Sequence, residues 1–246
     1  GKRVEITADI DLSGSSYTPV ATFGGTFNGN GYTISGVRLK RKGSHQGLFR
    51  YLQDGGVIKD LNVSGKIKPG GSKKYVGGIV GENSGSIINC NFRGDVSADA
   101  SVGGICGYNC ESVVDNCYNV GTVEGGERVG GVSGFNRGTI KNCYSIDDID
   151  GSLYVGGVCG HYMGGTVMNC YYNSSVNERV AIGLNEGTTV TMVERKTTEQ
   201  FQSGEVAYLL QDGQEAKTEV VWGQKIGTDS YPVLGGSNVC RFTIYE

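Results

Sequence analysis

The chain has 246 residues, among them 43 glycines and only 3 prolines, with 37% hydrophobic and 19% charged positions. That balance excludes a disordered chain, and no apolar run approaches the roughly 18 residues that a membrane-spanning helix needs. The formal charge of −3 argues against a nucleic-acid binder, yet it is unevenly divided: residues 1–74 carry 12 Lys and Arg against 5 acids, and the remainder 10 against 20.

In chain order, residues 3–12 alternate through Val4, Ile6, Ala8, Ile10 and Leu12, a period-two strand that should begin a stack. Residues 23–42 follow, with two Asn-Gly pairs between strand-like stretches, a strong tight-turn signal and a second coil. A third runs from Gly47 to Ile67. Its pattern is then written four more times between Tyr75 and Tyr172. The copies open at Val76, Val102, Val129 and Val155, each followed by Gly-Gly, and each reaches an Asn-Cys pair at Cys90, Cys117, Cys143 and Cys170. The cysteine spacings of 27, 26 and 27 residues mean stacked structural units. In the third coil, Asp60 and Leu61 stand at the Asn and Cys positions.

Three residues before each cysteine is a β-branched residue (Ile87, Val114, Ile140, Val167), and six after it another (Val96, Val123, Ile149, Val176). A straight strand alternates faces, so Ile87 and Cys90 cannot both point inward unless the chain bends between them. Asn89, Asn116, Asn142 and Asn169 are the natural bends, because Asn tolerates left-handed backbone angles. The Gly-Gly pairs at Gly77, Gly103, Gly130 and Gly156 are expected to make another corner through positive φ. Successive coils then pair as parallel strands roughly 4.8 Å apart. The predicted fold is all-β: a right-handed, single-stranded parallel β-helix of about seven to eight coils. Four of the eight cysteines become a ladder of free, packed thiols. Cys110, in a turn, and Cys240, near the end, are left exposed or bridged.

The stretch Gly-Thr-Phe-Asn-Gly-Asn-Gly-Tyr-Thr-Ile-Ser-Gly, the Gly47-Leu-Phe triplet and the recurring Val-Gly-Gly-Ile-x-Gly followed by Asn-Cys resemble the GLUG repeat family over residues 1 to about 175. The resemblance implies a module of a secreted or surface-anchored bacterial protein, such as an adhesin or a non-catalytic region of an immunoglobulin A1 metallopeptidase. The absence of an initiator methionine and of a signal peptide suggests a trimmed piece of a longer protein.

Beyond Tyr172 the period fades, and Val180, Ile182, Val190 and Val193 supply an irregular last rung. Thr197 to Gln200 has capping-box spacing, and Phe201, Val206, Leu209 and Leu210 share one side of a short helix that Gly213 should close. With Trp222 and the Tyr231 to Leu234 segment, this helix is expected to cap the exposed end of the stack. The predicted division is a β-helix over 1–186 and a last rung with cap over 187–246.

Zinc proteolysis needs two histidines one helical turn apart with a glutamate between them, and the only histidines, His45 and His161, do not stand in that arrangement. Cys106, Cys110, Cys117, Cys159 and His161 are metal-ligand residue types, but two of these cysteines occupy repeat positions shared with Val80, Ser133 and Leu61, and the set reads as structural. No metal or cofactor is expected. Catalytic β-helices that cleave glycans use outward carboxylates. The densest carboxylates are Asp147, Asp148 and Asp150, with Asp95 nearby, and all of them read as solvated surface. Arg38, Lys40, Lys66 and Lys68 alternate with Val37, Leu39 and Ile67, so they should form an outward basic stripe, with Lys73 and Lys74 following it, suited to an anionic glycan or an acidic host surface protein. Tyr118, Tyr144 and Tyr171 follow their cysteines at one coil position and are expected to form an outward aromatic ladder on which sugars could stack. The sequence reading is therefore a non-catalytic, monomeric module of adhesion or ligand presentation, without nucleic acid or membrane insertion.

Overall fold

The structure, a computed structural model, describes residues 1–15, 17–70, 73–173, 175, 179–212 and 221–236. The coils pair in parallel in a single 19-stranded sheet. Val4, Phe27, Ile58, Ile87, Val114, Ile140, Val167 and Val190 stand in one column, each in register with the next. The fold is a parallel β-solenoid, as the repeat spacing demands. Along this column the interior is apolar, with Ile58, Ile87, Val114, Ile140 and Val167 all fully buried. Val176, Gly213 and Cys240 lie outside the described residues.

The cysteine ladder forms as expected. Cys90 pairs in register with Leu61, and Cys170 with Val193, while Cys117 and Cys143 fill the rungs between. All four thiols are free and buried, and burial pushes those of Cys117, Cys143 and Cys170 well up from the ordinary range. Each Sγ also donates to the carbonyl two residues earlier, at 3.1, 3.2, 3.0 and 3.1 Å in coil order. Those carbonyls belong to the last residue paired in register before each bend, and two of them also accept a backbone N–H from the neighbouring coil, Lys141 from Asn116 and Met168 from Asn142. A thiol supplies a weak donor that valine lacks.

The bend at asparagine is present, with φ of 52°, 50°, 53° and 47° at Asn89, Asn116, Asn142 and Asn169, and 52° at Asp60. Their side chains link the coils: Asn89 Nδ2 donates to Asp60 Oδ1 (2.9 Å), Asn142 Nδ2 to Asp115 Oδ1 (2.8 Å) and Asn169 Nδ2 to Asn142 Oδ1 (2.9 Å). Left-handed backbone costs a β-branched residue about 1–2 kcal/mol, and each lost hydrogen bond about 1 more. Asn142→Val is therefore expected to lose about 2–4 kcal/mol in urea titration, and Asn142→Gly, which keeps the backbone, roughly half that. Equal losses would contradict the assignment of the bend.

The second corner differs from expectation. The Gly-Gly pairs do not carry positive φ; Tyr75, Ser101, Arg128 and Tyr154, two residues before the first glycine of each pair, do, at 52–61°. The glycines are required by close approach instead. A Cβ on Gly77 would lie 2.5 Å from Cys106 Cα in the next coil, and one on Gly78 2.3 Å from the Phe92 ring. Room, not backbone freedom, selects glycine here.

The C-terminal segment also lies elsewhere than predicted. It forms two helices, α1 (Thr198–Gln202) and α2 (Glu205–Asp212), followed by an antiparallel pair, Trp222–Gly223 with Val233–Leu234. The Thr197 capping box is present, with Gln200 completing it. Instead of closing the end, the segment runs back along the flank and packs Phe201, Val206, Leu210 and Trp222 on Tyr118, Tyr144 and Tyr171. The two terminal rungs keep apolar side chains in contact with solvent: Val4 is 37% exposed and Val190 38%. We call this segment the strap.

Candidate functional site

The strap decides which predicted binding residues a ligand can reach. Tyr118 and Tyr144 do stack, with centroids 4.8 Å apart and planes 9° from parallel, and they project outward from the solenoid core. They are nevertheless buried, as is Tyr171, so the predicted sugar-stacking ladder is corrected to a packing surface. The indole of Trp222 covers Tyr118 and Tyr144 at 5.8 and 5.5 Å, and its Nε1 donates to Asn116 Oδ1 at 3.1 Å. Arg93 donates to the hydroxyls of both Tyr118 and Tyr231, and the Tyr144 hydroxyl donates to the Pro232 carbonyl. Burial raises the Tyr118 and Tyr144 hydroxyl pKa values, so these two stay neutral.

The basic stripe is accessible. Arg38, Lys40, Lys66 and Lys68 are all exposed and line a single groove of about 320 Å³ with Leu39, Val96, Asp95, Ser97, Thr122 and Glu124. Strand alternation places them there: Val37, Leu39 and Ile67 turn into the core, so their neighbours must turn out. Arg38, Lys66, Asp95, Thr122 and Asp148 occupy one outward row in register. The row thus runs from basic to acidic along the axis. Lys66 and Asp95 meet at 2.6 Å where the sign changes. Both are well solvated, so the pair adds little stability and leaves Arg38, Lys40 and Lys68 without an ion pair among the described residues.

The aspartate cluster does not converge. Asp148 and Asp150 are exposed, with Asp150 3.6 Å from Arg179, whereas Asp147 is only 2% exposed and faces the interior. This corrects the expectation that all three are solvated. Its position follows from parity: Ile149 points inward, and so must the residue two before it. Neither carboxylate oxygen has a hydrogen-bond partner, and burial pushes the pKa from 3.8 to about 7. The Asn119 amide, the Gly121 backbone and the Ser145 hydroxyl are close enough to pull it partly back, but none meets it in hydrogen-bond geometry.

Among the described residues no group of three or more His, Cys, Asp or Glu is placed to hold a metal. Cys106 is buried, its thiol pushed up to about 12, and Cys159 Sγ donates to the His161 carbonyl. Cys110 is a half-buried free thiol. Each histidine has its own carboxylate, His45 Nε2 lying 3.1 Å from Glu82 and His161 Nε2 2.7 Å from Glu186. These histidines belong to an aromatic file that sequence reasoning missed: His45, Tyr75, Tyr108, Phe135 and His161 stack successively at 4.9–5.4 Å. The signal was present in the aromatic that follows Val-Gly-Gly-x-x-Gly at Tyr108, Phe135 and His161. The rings stack on one another and so present edges outward.

Residues 74–97, the coil containing the first Val-Gly-Gly and Cys90, match the GLUG motif. Over 122 residues the chain is 32% identical to halomucin of Haloquadratum walsbyi, covering 44% of this chain and 1% of that protein. Over 96 residues it is 32% identical to a candidate Gly-rich membrane protein of Evansella cellulosilytica, covering 37% of this chain and 11% of the relative. The chain therefore spans a small part of the relatives it matches. Among solved structures, a candidate immunoglobulin A1 protease of Bacteroides ovatus has the same fold, with a TM-score of 0.59 at 21% identity over 94% of this chain and 85% of that one. The chain is thus a β-solenoid that carries a GLUG repeat at residues 74–97, with neighbouring coils stacked on it in register.

Proposed function

We propose that the chain is a non-catalytic, extracellular module of a bacterial surface protein, which presents the basic half of its groove to an anionic glycan. The carrying observation is the convergence of Arg38, Lys40, Lys66 and Lys68 on one accessible groove while the rival aromatic surface lies beneath the strap. Surface placement draws support from the similarity to halomucin and to a Gly-rich membrane protein. The absence of chemistry is part of the proposal, and it is supported by the divergence of Asp147 from Asp148 and Asp150. Cations spaced about one rung apart match a repeating polyanion better than a small ligand, and their attraction falls with salt.

The test is retention on a sulfated-polysaccharide column. The wild-type chain should bind at low salt and elute as salt rises, and the variant with Arg38, Lys40, Lys66 and Lys68 all replaced by Gln should pass through. Unchanged retention of that variant would refute the site. A second reading, an accessory module of an immunoglobulin A1 protease-like peptidase, is favoured by the shared solenoid fold. It predicts a His-Glu-x-x-His motif elsewhere in the full-length protein.

A further inference from the structure

A second cationic site lies at the corner between the strand that ends at Leu39 and the one that begins at Phe49. A cavity of about 170 Å³ opens there, lined by Arg41, Lys42, Gln46 and Arg50 and, from the first coil, by Thr18 and Ala21. It shares no residue with the basic stripe. The local chain explains the gathering. Gly43, at φ 135°, turns the path between Lys42 and Ser44, and a Cβ there would lie 3.0 Å from Gln46 Nε2. Phe49 is buried in the core, so Arg50 turns outward, between the paired positions Val20 with Phe49 and Thr22 with Tyr51.

Arg50 is held in place by the backbone. Its Nε and Nη2 donate to the carbonyls of His45 and Ser44, at 3.2 and 3.4 Å, and the guanidinium lies 5.5 Å from the Tyr51 ring centre. The rest of its N–H groups remain to donate. Gln46 is 3% exposed; its Nε2 donates to the Ser44 carbonyl at 3.2 Å and keeps a second N–H, while its Oε1 is buried without a partner. Among the described residues no carboxylate lines the cavity, and Arg41, Lys42 and Arg50 have no ion pair. Like charges around one space repel, and an anion relieves them. The space limits the choice: at about 30 Å³ for each water it holds roughly five, enough for one tetrahedral oxyanion with a water or two and too little for a length of polymer. A dianion meets these cations better than the single charge of a carboxylate, and the arginine fork matches a pair of its oxygens.

We infer that this cavity binds one tetrahedral oxyanion, a sulfate or phosphate group, free or esterified to a glycan. Arg50 supplies the fixed donors, and the exposed Arg41 and Lys42 supply the remaining charge. The Thr18 hydroxyl and the second Gln46 N–H are its neutral donors. The buried Gln46 Oε1 accepts from a hydrogen phosphate or from a water held with the ion.

The experiment titrates sodium sulfate and sodium phosphate into the chain by calorimetry at pH 7.5, at a physiological concentration of NaCl, where exposed charges more than about 8 Å apart are screened. Saturable one-to-one binding of at least one of the two ions is expected. Replacing the exposed Arg41 and Lys42 together by Gln should weaken it by about tenfold or more, and Arg50→Gln should abolish it. The variant with Arg38, Lys40, Lys66 and Lys68 all replaced by Gln should keep the affinity within about threefold, so this site stands or falls independently of the stripe. Galactose 6-sulfate and glucose 6-phosphate form a second arm: binding tighter than that of the free ion identifies a glycan ester as the source, and weaker binding identifies the free ion. Absence of saturable binding by both free ions overturns the inference, and so does binding that survives the Arg41 and Lys42 replacement or is lost equally in the stripe variant.

Discussion

Raising the pH from 4 to 8 is expected to narrow, then reverse, any stability advantage of the wild-type chain over Asp147→Asn, by a few kcal/mol in total. The carboxyl is fully buried and its pKa is raised from 3.8 to about 7. A raised acid favours the folded state only while it is protonated. Its contribution is therefore complete below about pH 4, declines through the window from about 4 to 7, and is gone above it. The rise from 3.8 to about 7, at about 1.4 kcal/mol for each tenfold change in proton affinity, corresponds to roughly 4 kcal/mol. The amide of the variant does not titrate, so guanidinium titrations of the two proteins should diverge across that window. A difference that is the same at pH 4 and pH 8 would show that the carboxylate is solvated in the folded chain.

Trp222→Ala is expected to cost about 3–5 kcal/mol, the usual loss for truncating a buried large aromatic. The indole is fully buried, spans Tyr118 and Tyr144, and satisfies Asn116. The loss should fall on the strap and not on the coils. Among the described residues, strap and solenoid meet along the Tyr118, Tyr144 and Tyr171 flank, while each coil is bonded to its neighbours along whole strands, as between Ser86–Gly103 and Tyr118–Gly130. Hydrogen exchange should then show residues 198–212 and 221–236 opening while the Ser86–Gly103 and Tyr144–Tyr162 strands remain protected. Trp222→Phe, which keeps the ring but not the Asn116 hydrogen bond, should open less. Simultaneous loss of protection in strap and coils would mean that the two unfold as one unit.

The solenoid was legible because its information is repeated: a spacing of 26 or 27 residues with Val, Asn and Cys at fixed phases leaves one stacking register. Asn89 and its equivalents announced the bend through residue chemistry. Glycine was ambiguous, since Gly77 serves equally for positive φ and for close approach, and only the neighbouring coil distinguishes them. Arg38 to Lys68 could be placed by alternation alone. Tyr118, Tyr144 and Tyr171 were placed on the correct side of the strand, but their burial depends on where α1 and α2 land, and helices that are not part of the repeat carry no register. Asp147 reads as solvated from its charge, whereas its parity with the buried Ile149 places it inside. Charge indicates the cost of a buried position, and parity indicates the position itself.

The central claim is that like side chains stand over one another through the body of the chain. A sulfur anomalous map from crystals of the protein tests it most directly. The account predicts the Sγ atoms of Cys90, Cys117, Cys143 and Cys170 as four peaks in single file, stepping by about 4.8 Å. Peaks scattered off that line, or paired at disulfide distance, would contradict it.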